Sequence, residues 1–424
     1  MDVMPVEAAL KRFVRDHAVV VTAMAASEPG GFFSGVHQVL QDCTGVVIWC
    51  ANPSRSYEVF HDQSLDGRVE LRPLFLTASV RDHQSQPHVH YVPQHLSQWV
   101  RNILFRCPKI DLFWGSCSVP DSRGFVSLGP GVCYEAELLR KAEHVVLEIN
   151  PAIPFTHGAT TVPLRMVSAF VERSGPLPES LWKQPDEEDQ KIAAFVADLI
   201  QDGSTLQLGI GSIPDALTDA LMNKKHLGIH TEMINNSIQK LIEAGVVDGS
   251  QKTIWPDKVV GSFAFGTAEL YQFLDRNPVI ELHPASVVVD PWRIGRNHRM
   301  VSVNSAVEID MTGQVCSESI GHLELSGIGG AFDTHTGAQR SPDGRGIIAL
   351  KSTTRQGVSK IVSELQPGAK VSISRNDLDT VVTEYGVAEL KGRSVAARAE
   401  QLIAVAHPSF RDQLRYSARK NGYL

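Results

Sequence analysis

The 424-residue sequence predicts an α/β fold made of two open, mostly parallel sheets. Three observations predict it. Short apolar runs of strand length alternate with amphipathic helical patterns along the chain. A strand–glycine loop–helix unit opens each half, at 18–42 and again at 205–223. Between them lies a proline- and acid-rich break, RSGPLPESLWKQPDEED (173–189). The break divides the chain into expected domains at 1–180 and 181–424, and a chain this long exceeds one average core.

In the first half, Val6, Ala9, Leu10 and Phe13 form a helical stripe. Ala18–Ala23 reads as a strand, SEPGGF (27–32) as a loop, and Phe33–Asp42 as a helix. Val46–Cys50 and Val69–Phe75 are further strands, and VPQHLSQWVRNIL (92–104) is amphipathic. Ile110–Ser116 is a strand, Tyr134–Lys141 a helix, and His144–Ile149 a strand running into NPAIPFTHG. In the second half, Ile192, Phe195, Val196, Leu199 and Ile200 share a helix face. Strands are expected near Val259–Phe265, Val287–Val289, Met300–Asn304, Gly346–Leu350, Lys360–Glu364 and Val371–Ser374. A helical tail covers roughly Val395–Arg419.

The focal stretch is TLQLGIGSIPDALTDALMNKKHLGIHTE (205–232). Thr205–Leu208 ends a buried strand, and Gly209, Ile210 and Gly211 make a tight loop. Ser212 reads as a helix N-cap, with Pro214 in the first turn and Asp215 three residues after the cap. Such a loop presents backbone N–H groups to an anionic or carbonyl ligand. Leu227–Thr231 is a second strand that delivers Glu232 to a strand end, where α/β sheets bind ligands. A structural turn and a solvated glutamate are the alternative readings of these residues. A second glycine cluster, LSGIGGAFDTHTGA (325–338), also permits close backbone approach at Gly327, Gly329 and Gly330.

Other chemistries find little support. A net charge of −7 argues against general nucleic-acid binding. Six scattered cysteines without a CxxC pair imply reduced thiols and a cytoplasmic compartment. Neither a signal-peptide run nor a stretch of ~18 apolar residues occurs, so no membrane association is expected. There is no third glycine for a dinucleotide fingerprint, no P-loop and no GxSxG elbow. His83, His88 and His90 lack a zinc spacing, so no metal is expected. Glu308 and Asp310 alternate on one strand face, read as a solvated face rather than a carboxylate pair.

Taken together, LGIGSIPDAL, GIHTEM, VSVNSAVEIDMTGQVCSESIG, SGIGGAFD and VVTEYGVAEL resemble the acetyl-CoA hydrolase/transferase family. The branch they resemble is the 4-hydroxybutyrate (butyrate-type) CoA-transferases, and the likeness covers nearly the whole chain. The resemblance implies two α/β domains of the CoA-transferase type with the active site in the cleft between them. It implies acyl-CoA and small carboxylic acids as substrates, no metal or redox cofactor, and a homo-oligomer (dimer or tetramer). Glu232 matches the family's nucleophile. Gly209, Ile210, Gly211, Ser212 and Ile213 match the first CoA-contacting loop, Val307 and Gly330 further contacts, and Lys351 a phosphate or pantetheine contact. Where the family continues the glycine loop as Q-x-D-F, Ala331 and Thr334 stand for the glutamine and the phenylalanine. WCANPSRSYEVF (49–60) also departs from the family pattern. With Arg55, Thr334 and His335 adding polar groups, the departures suggest a short dicarboxylate such as itaconate or succinate beside 4-hydroxybutyrate, butyrate or acetate. An acyl-CoA hydrolase and a non-enzymatic CoA-binding sensor are the alternatives on the same scaffold.

Overall fold

The computed structural model describes residues 2–180 and 184–424. Residues 181–183 of the expected linker lie outside the described residues. The first half forms a six-stranded sheet, in the spatial order Val69–Pro73, Val46–Cys50, Val19–Thr22, Ile110–Cys117, Ala142–Ile149, Ala169–Glu172. All five pairings are parallel. Counting only these strands, the order is 3-2-1-4-5-6, that of a doubly wound fold. Val20, Ile48, Leu112 and Val146 are fully buried, as parallel strands covered on both faces require.

A second six-stranded sheet runs Gly228–Ile229, Thr205–Leu208, Met300–Asn304, Arg345–Ala349, Thr380–Thr383, Gly386–Glu389. The first five strands are parallel and the last is antiparallel. Its order, 2-1-3-4-5 plus an edge, places a switch point between Thr205–Leu208 and Met300–Asn304. The two large sheets are separate, but the halves are not. His157–Gly158 pairs in parallel with Ile280–Leu282, and Tyr271 Oη donates to the Pro178 carbonyl at 2.7 Å. One hydrophobic cluster runs from Val21 and Trp49 through Leu206 and Leu217 to Val382.

Several expectations need correction. The helix read as starting at Phe33 begins at Gly30, because the Glu148 carboxylate accepts from the N–H groups of Gly31 (2.9 Å) and Phe32 (2.7 Å) and so caps the glycines into the first turn. The amphipathic stretch 92–104 becomes helical only from Leu96, with His95 before it in extended conformation. Val287–Val289 is not a strand. Ala285–Val288 is a short helix that starts just after Pro284, with Pro291 opening the next one. Val371–Ser374 contributes only an isolated bridge from Ile373 to Val315. The run Val259–Phe265 splits, Val259–Gly261 joining one small sheet and Phe263–Ala264 another. The tail is two helices, Val395–Val405 and Pro408–Lys420, broken where Pro408 has no N–H to continue the ladder. Glu308 and Asp310 are buried rather than solvated. Glu308 accepts from the Gln366 N–H at 2.9 Å, and Asp310 Oδ1 gathers the N–H groups of Thr312, Gly313 and Gln314 into a turn.

The switch point of the first sheet is filled by the chain itself. Besides the helix N-terminus, buried Glu148 accepts from Trp114 Nε1 at 3.1 Å and faces Arg173 at 3.7 Å. Glu148→Ala would strand two N–H donors and the indole, so we expect a loss of about 3 kcal/mol. Chemical denaturation with unchanged slope would measure it.

Candidate active site

At the second sheet's switch point the parallel strands deliver their loops to one edge. Leu208 leads into Gly209–Ile213, Asn304 into Ser305–Val307, and Ala349 into Lys351. Ile229, on the neighbouring edge strand, leads through His230 and Thr231 to Glu232. The Glu232 backbone is pinned on both sides. Thr231 N–H donates to the Val260 carbonyl at 2.9 Å. The Glu232 carbonyl accepts from Ser262 (2.9 Å) and Phe263 (3.2 Å). The side chain is left to project, half-buried, toward the second glycine cluster.

There Gly330 N–H donates to Glu232 Oε2 at 2.9 Å. Gly330 precedes the helix Ala331–Ala338, so its N–H lies outside the helical ladder and is free to bind an anion. Glycine is required on steric grounds, since a Cβ on Gly330 would stand 2.4 Å from Oε2. Gly329, at φ +54°, sits in the left-handed region. Burial pushes the Glu232 carboxyl up to about 7, against the pull of the Gly330 N–H, with the Asp333 charge adding to the rise. The result is a carboxylate that is placed, weakly solvated and more basic than usual.

The first half closes over this group. A Cβ on Gly327 would touch Phe75 and Tyr91, one on Gly329 would lie 3.7 Å from Phe75, and one on Gly330 3.5 Å from Leu96. Leu96 N–H donates to the Gly329 carbonyl at 3.0 Å. Ser97 donates to Asp333 from its N–H (3.0 Å) and Oγ (2.9 Å). The His95 ring stacks on Phe332 at 4.6 Å. None of these first-half residues stands in a motif, so only the folded chain reveals them. Asp333 could have been singled out, as the one acid in the glycine-rich run 325–338.

The remaining sequence candidates share the sheet edge without hydrogen-bonding to Glu232. A Cβ on Gly209 would lie 3.5 Å from the Val303 carbonyl, and Ile210 is exposed. Gly211, at φ +115°, takes the N-cap position expected of Ser212, which enters the helix Ser212–Ala220 at its first residue. Ile213 is partly buried against the core, and Val307 N–H is tied to the Cys316 carbonyl at 2.8 Å. Lys351 is held by three acids at the start of the helix Glu187–Asp198. It contacts Asp186 closely and lies 3.4 Å from Asp189 and 3.5 Å from Glu188. The polar acyl-pocket contribution expected of Thr334 and His335 is not found. Both are buried, Thr334 Oγ1 accepting from Asn304 Nδ2 at 3.1 Å and His335 packed under Gly346. Arg55 is exposed and lies over the Tyr57 ring. Among the described residues no cluster of His, Cys, Asp or Glu fits a metal ion, and no helix is long and apolar enough to cross a membrane.

Comparison with known proteins agrees with this architecture. The acetyl-CoA hydrolase/transferase N-terminal domain matches residues 45–173, and the C-terminal domain of the same name matches 266–418. The 4-hydroxybutyrate coenzyme A transferase of Clostridium kluyveri is 37% identical over 96% of this chain and 95% of its own. The succinyl-CoA:cyclohexane-1-carboxylate CoA transferase of Geobacter metallireducens is 35% identical over 98% and 94%. The crystal structure of RipA from Yersinia pestis superposes with a TM-score of 0.94 at 31% identity, covering 100% of this chain and 98% of that one. The chain belongs to the acetyl-CoA hydrolase/transferase family.

Proposed function

We propose that this protein is an acyl-CoA:carboxylate CoA-transferase that moves coenzyme A between short-chain carboxylic acids, with Glu232 as the covalent nucleophile. The observation that carries the reading is the Glu232–Gly330 contact: a basic, weakly solvated carboxylate held by one backbone donor in a glycine-lined space. Relatives named as CoA transferases, aligned over nearly the whole chain, support the same activity.

The chemistry follows from those groups. Ionised Glu232 attacks the thioester carbonyl of the acyl-CoA, the C–S bond breaks, and CoA leaves as the thiolate. The thiolate then attacks the glutamyl carbonyl of the mixed anhydride, and the first acid departs as its carboxylate. The resulting glutamyl-CoA thioester is opened by the acceptor carboxylate, and the two steps run in reverse. Each intermediate keeps an activated acyl group, and no proton need be transferred to a leaving group. The Gly330 N–H, which holds the resting carboxylate, is also the nearest donor for the oxyanion that forms at that carbon. The loops Gly209–Ile213 and Ser305–Val307, with Lys351, flank the approach and are assigned to CoA. Lys351 must then leave its acid partners or share them when the phosphates bind.

Glu232→Gln preserves shape but removes the nucleophile, so transfer should fall by several orders of magnitude while CoA still binds. Acyl-CoA followed by borohydride should reduce a Glu232 thioester to the alcohol in wild type, located by peptide mass. An adduct on another carboxylate would overturn the assignment.

The raised carboxyl has two consequences of defined sign. Below about pH 7 Glu232 is neutral, so kcat/KM should decline on the acid side with a limb near that value. Burial of the charged form also disfavours the folded state above that pH, whereas at pH 4.5 and below the neutral group is tolerated. Glu232→Gln should therefore raise the melting temperature at pH 8 more than at pH 5. An equal effect at both would contradict the placement.

Gly330→Ala puts a methyl 2.4 Å from where Oε2 now lies. Displacing the carboxylate by about an ångström should cost roughly 100-fold in transfer with folding retained. Normal turnover in that variant would count against Gly330 as the holding donor.

A further inference from the structure

The peptide unit that holds Glu232 is gripped from its other side by the first half of the chain. Its N–H belongs to Gly330 and points to Glu232 Oε2 at 2.9 Å. Its carbonyl belongs to Gly329 and accepts from Leu96 N–H at 3.0 Å. In a trans peptide these two groups point in opposite directions, so fixing one aims the other. A Gly–Gly junction with Gly329 at φ +54° is the part of the backbone freest to rotate, and it has no side chain of its own to anchor it.

Anchoring comes from the residues on either side of Leu96. Asp333 is buried, in the first turn of the helix that follows Gly330, where an acid ordinarily caps its own helix. Here its carboxylate turns outward instead: Oδ2 takes the Ser97 N–H and Oδ1 the Ser97 hydroxyl. Among the described residues no Lys or Arg is paired with it, while the nearby His95 favours its charged form. The His95 ring lies on Phe332, so three consecutive residues of the first half meet the run Gly329–Asp333.

We infer that Ser97 and Asp333 are positioning residues for the proposed transfer: their pairing seats Leu96 on the Gly329 carbonyl, which aims the Gly330 N–H at Glu232. The nucleophile is then assembled only when the His95–Ser97 segment is docked on the second half. Neither residue touches the reacting atoms, so the effect belongs to the step in which Glu232 is acylated and not to CoA affinity. The inference rests on the reading of Glu232 as nucleophile.

The test is a half-reaction with the full-length protein. Acyl-CoA is mixed with enzyme without acceptor, quenched at intervals, and the Glu232–CoA adduct followed by intact mass. Ser97→Ala should slow adduct formation about tenfold while the Kd for CoA moves by less than about twofold, and Ser97→Thr, which keeps both donors, should restore most of the rate. Asp333→Ala, which removes both acceptors, should slow adduct formation at least as much as Ser97→Ala, and the double variant should be no slower than Asp333→Ala alone, as expected of one coupled pair. Should Asp333→Ala fail to fold, the two Ser97 variants decide the matter. Wild-type adduct rates in Ser97→Ala, no rescue by threonine, or multiplying losses in the double variant would overturn the clasp while leaving the nucleophile in place. Absence of any Glu232 adduct in wild type would overturn both.

Discussion

The peptide between Gly329 and Gly330 is the constraint on which the site depends. For the attack proposed here, the Glu232 carboxylate must give up water without being locked into an ion pair. One backbone N–H satisfies that need, because it orients the group while withholding a full positive charge. The cost falls on the backbone, where two adjacent glycines bring no side chain to anchor the peptide between them. Bonds on the far side of the peptide supply the missing rigidity, from Leu96 directly and from Ser97 through Asp333.

The two sheets treat their switch points differently: a side chain fills one, and the other carries the loop assigned to CoA in the proposed function. In the first, the helix N-terminus after the glycine loop is filled by Glu148, with Trp114 and Arg173 around it. In the second, Gly211 opens the helix with no side-chain cap. Similar local sequence, strand then glycines then helix, thus yields an internal anchor in one half and a helix start without a side-chain cap in the other. The difference comes from a carboxylate more than a hundred residues away in the chain, not from the loop itself.

That contrast also marks what could be read in the sequence. Both strand–glycine–helix units, the parallel strands they begin, and the delivery of Glu232 to a strand end follow from periodicity and turn chemistry. The prediction failed where long-range packing overrode local pattern. Val287 and Val288 have strand propensity but are bracketed by Pro284 and Pro291, and Glu308 and Asp310 alternate like a solvated face but are buried to tie loops. Phe75, Leu96 and Ser97 carry no motif, and their role exists only because the first half docks there. His335 and Thr334 were legible as polar residues but not as residues already committed to the core.

The short strand His157–Gly158 has a consequence for how the chain can be divided. It extends the sheet of Val259–Gly261 and Ile280–Leu282 with residues from the other half. A Cβ on Gly158 would stand 2.2 Å from the Leu282 carbonyl, and its φ of +99° admits little but glycine. Cutting the chain at the break after Arg173 would remove that strand and leave the Ile280–Leu282 edge with unpaired backbone groups, a template for joining another copy. The proline-rich segment is therefore a boundary between sheets but a poor place to separate fragments. A soluble second half would need the peptide around His157 supplied in trans or fused to its own N-terminus.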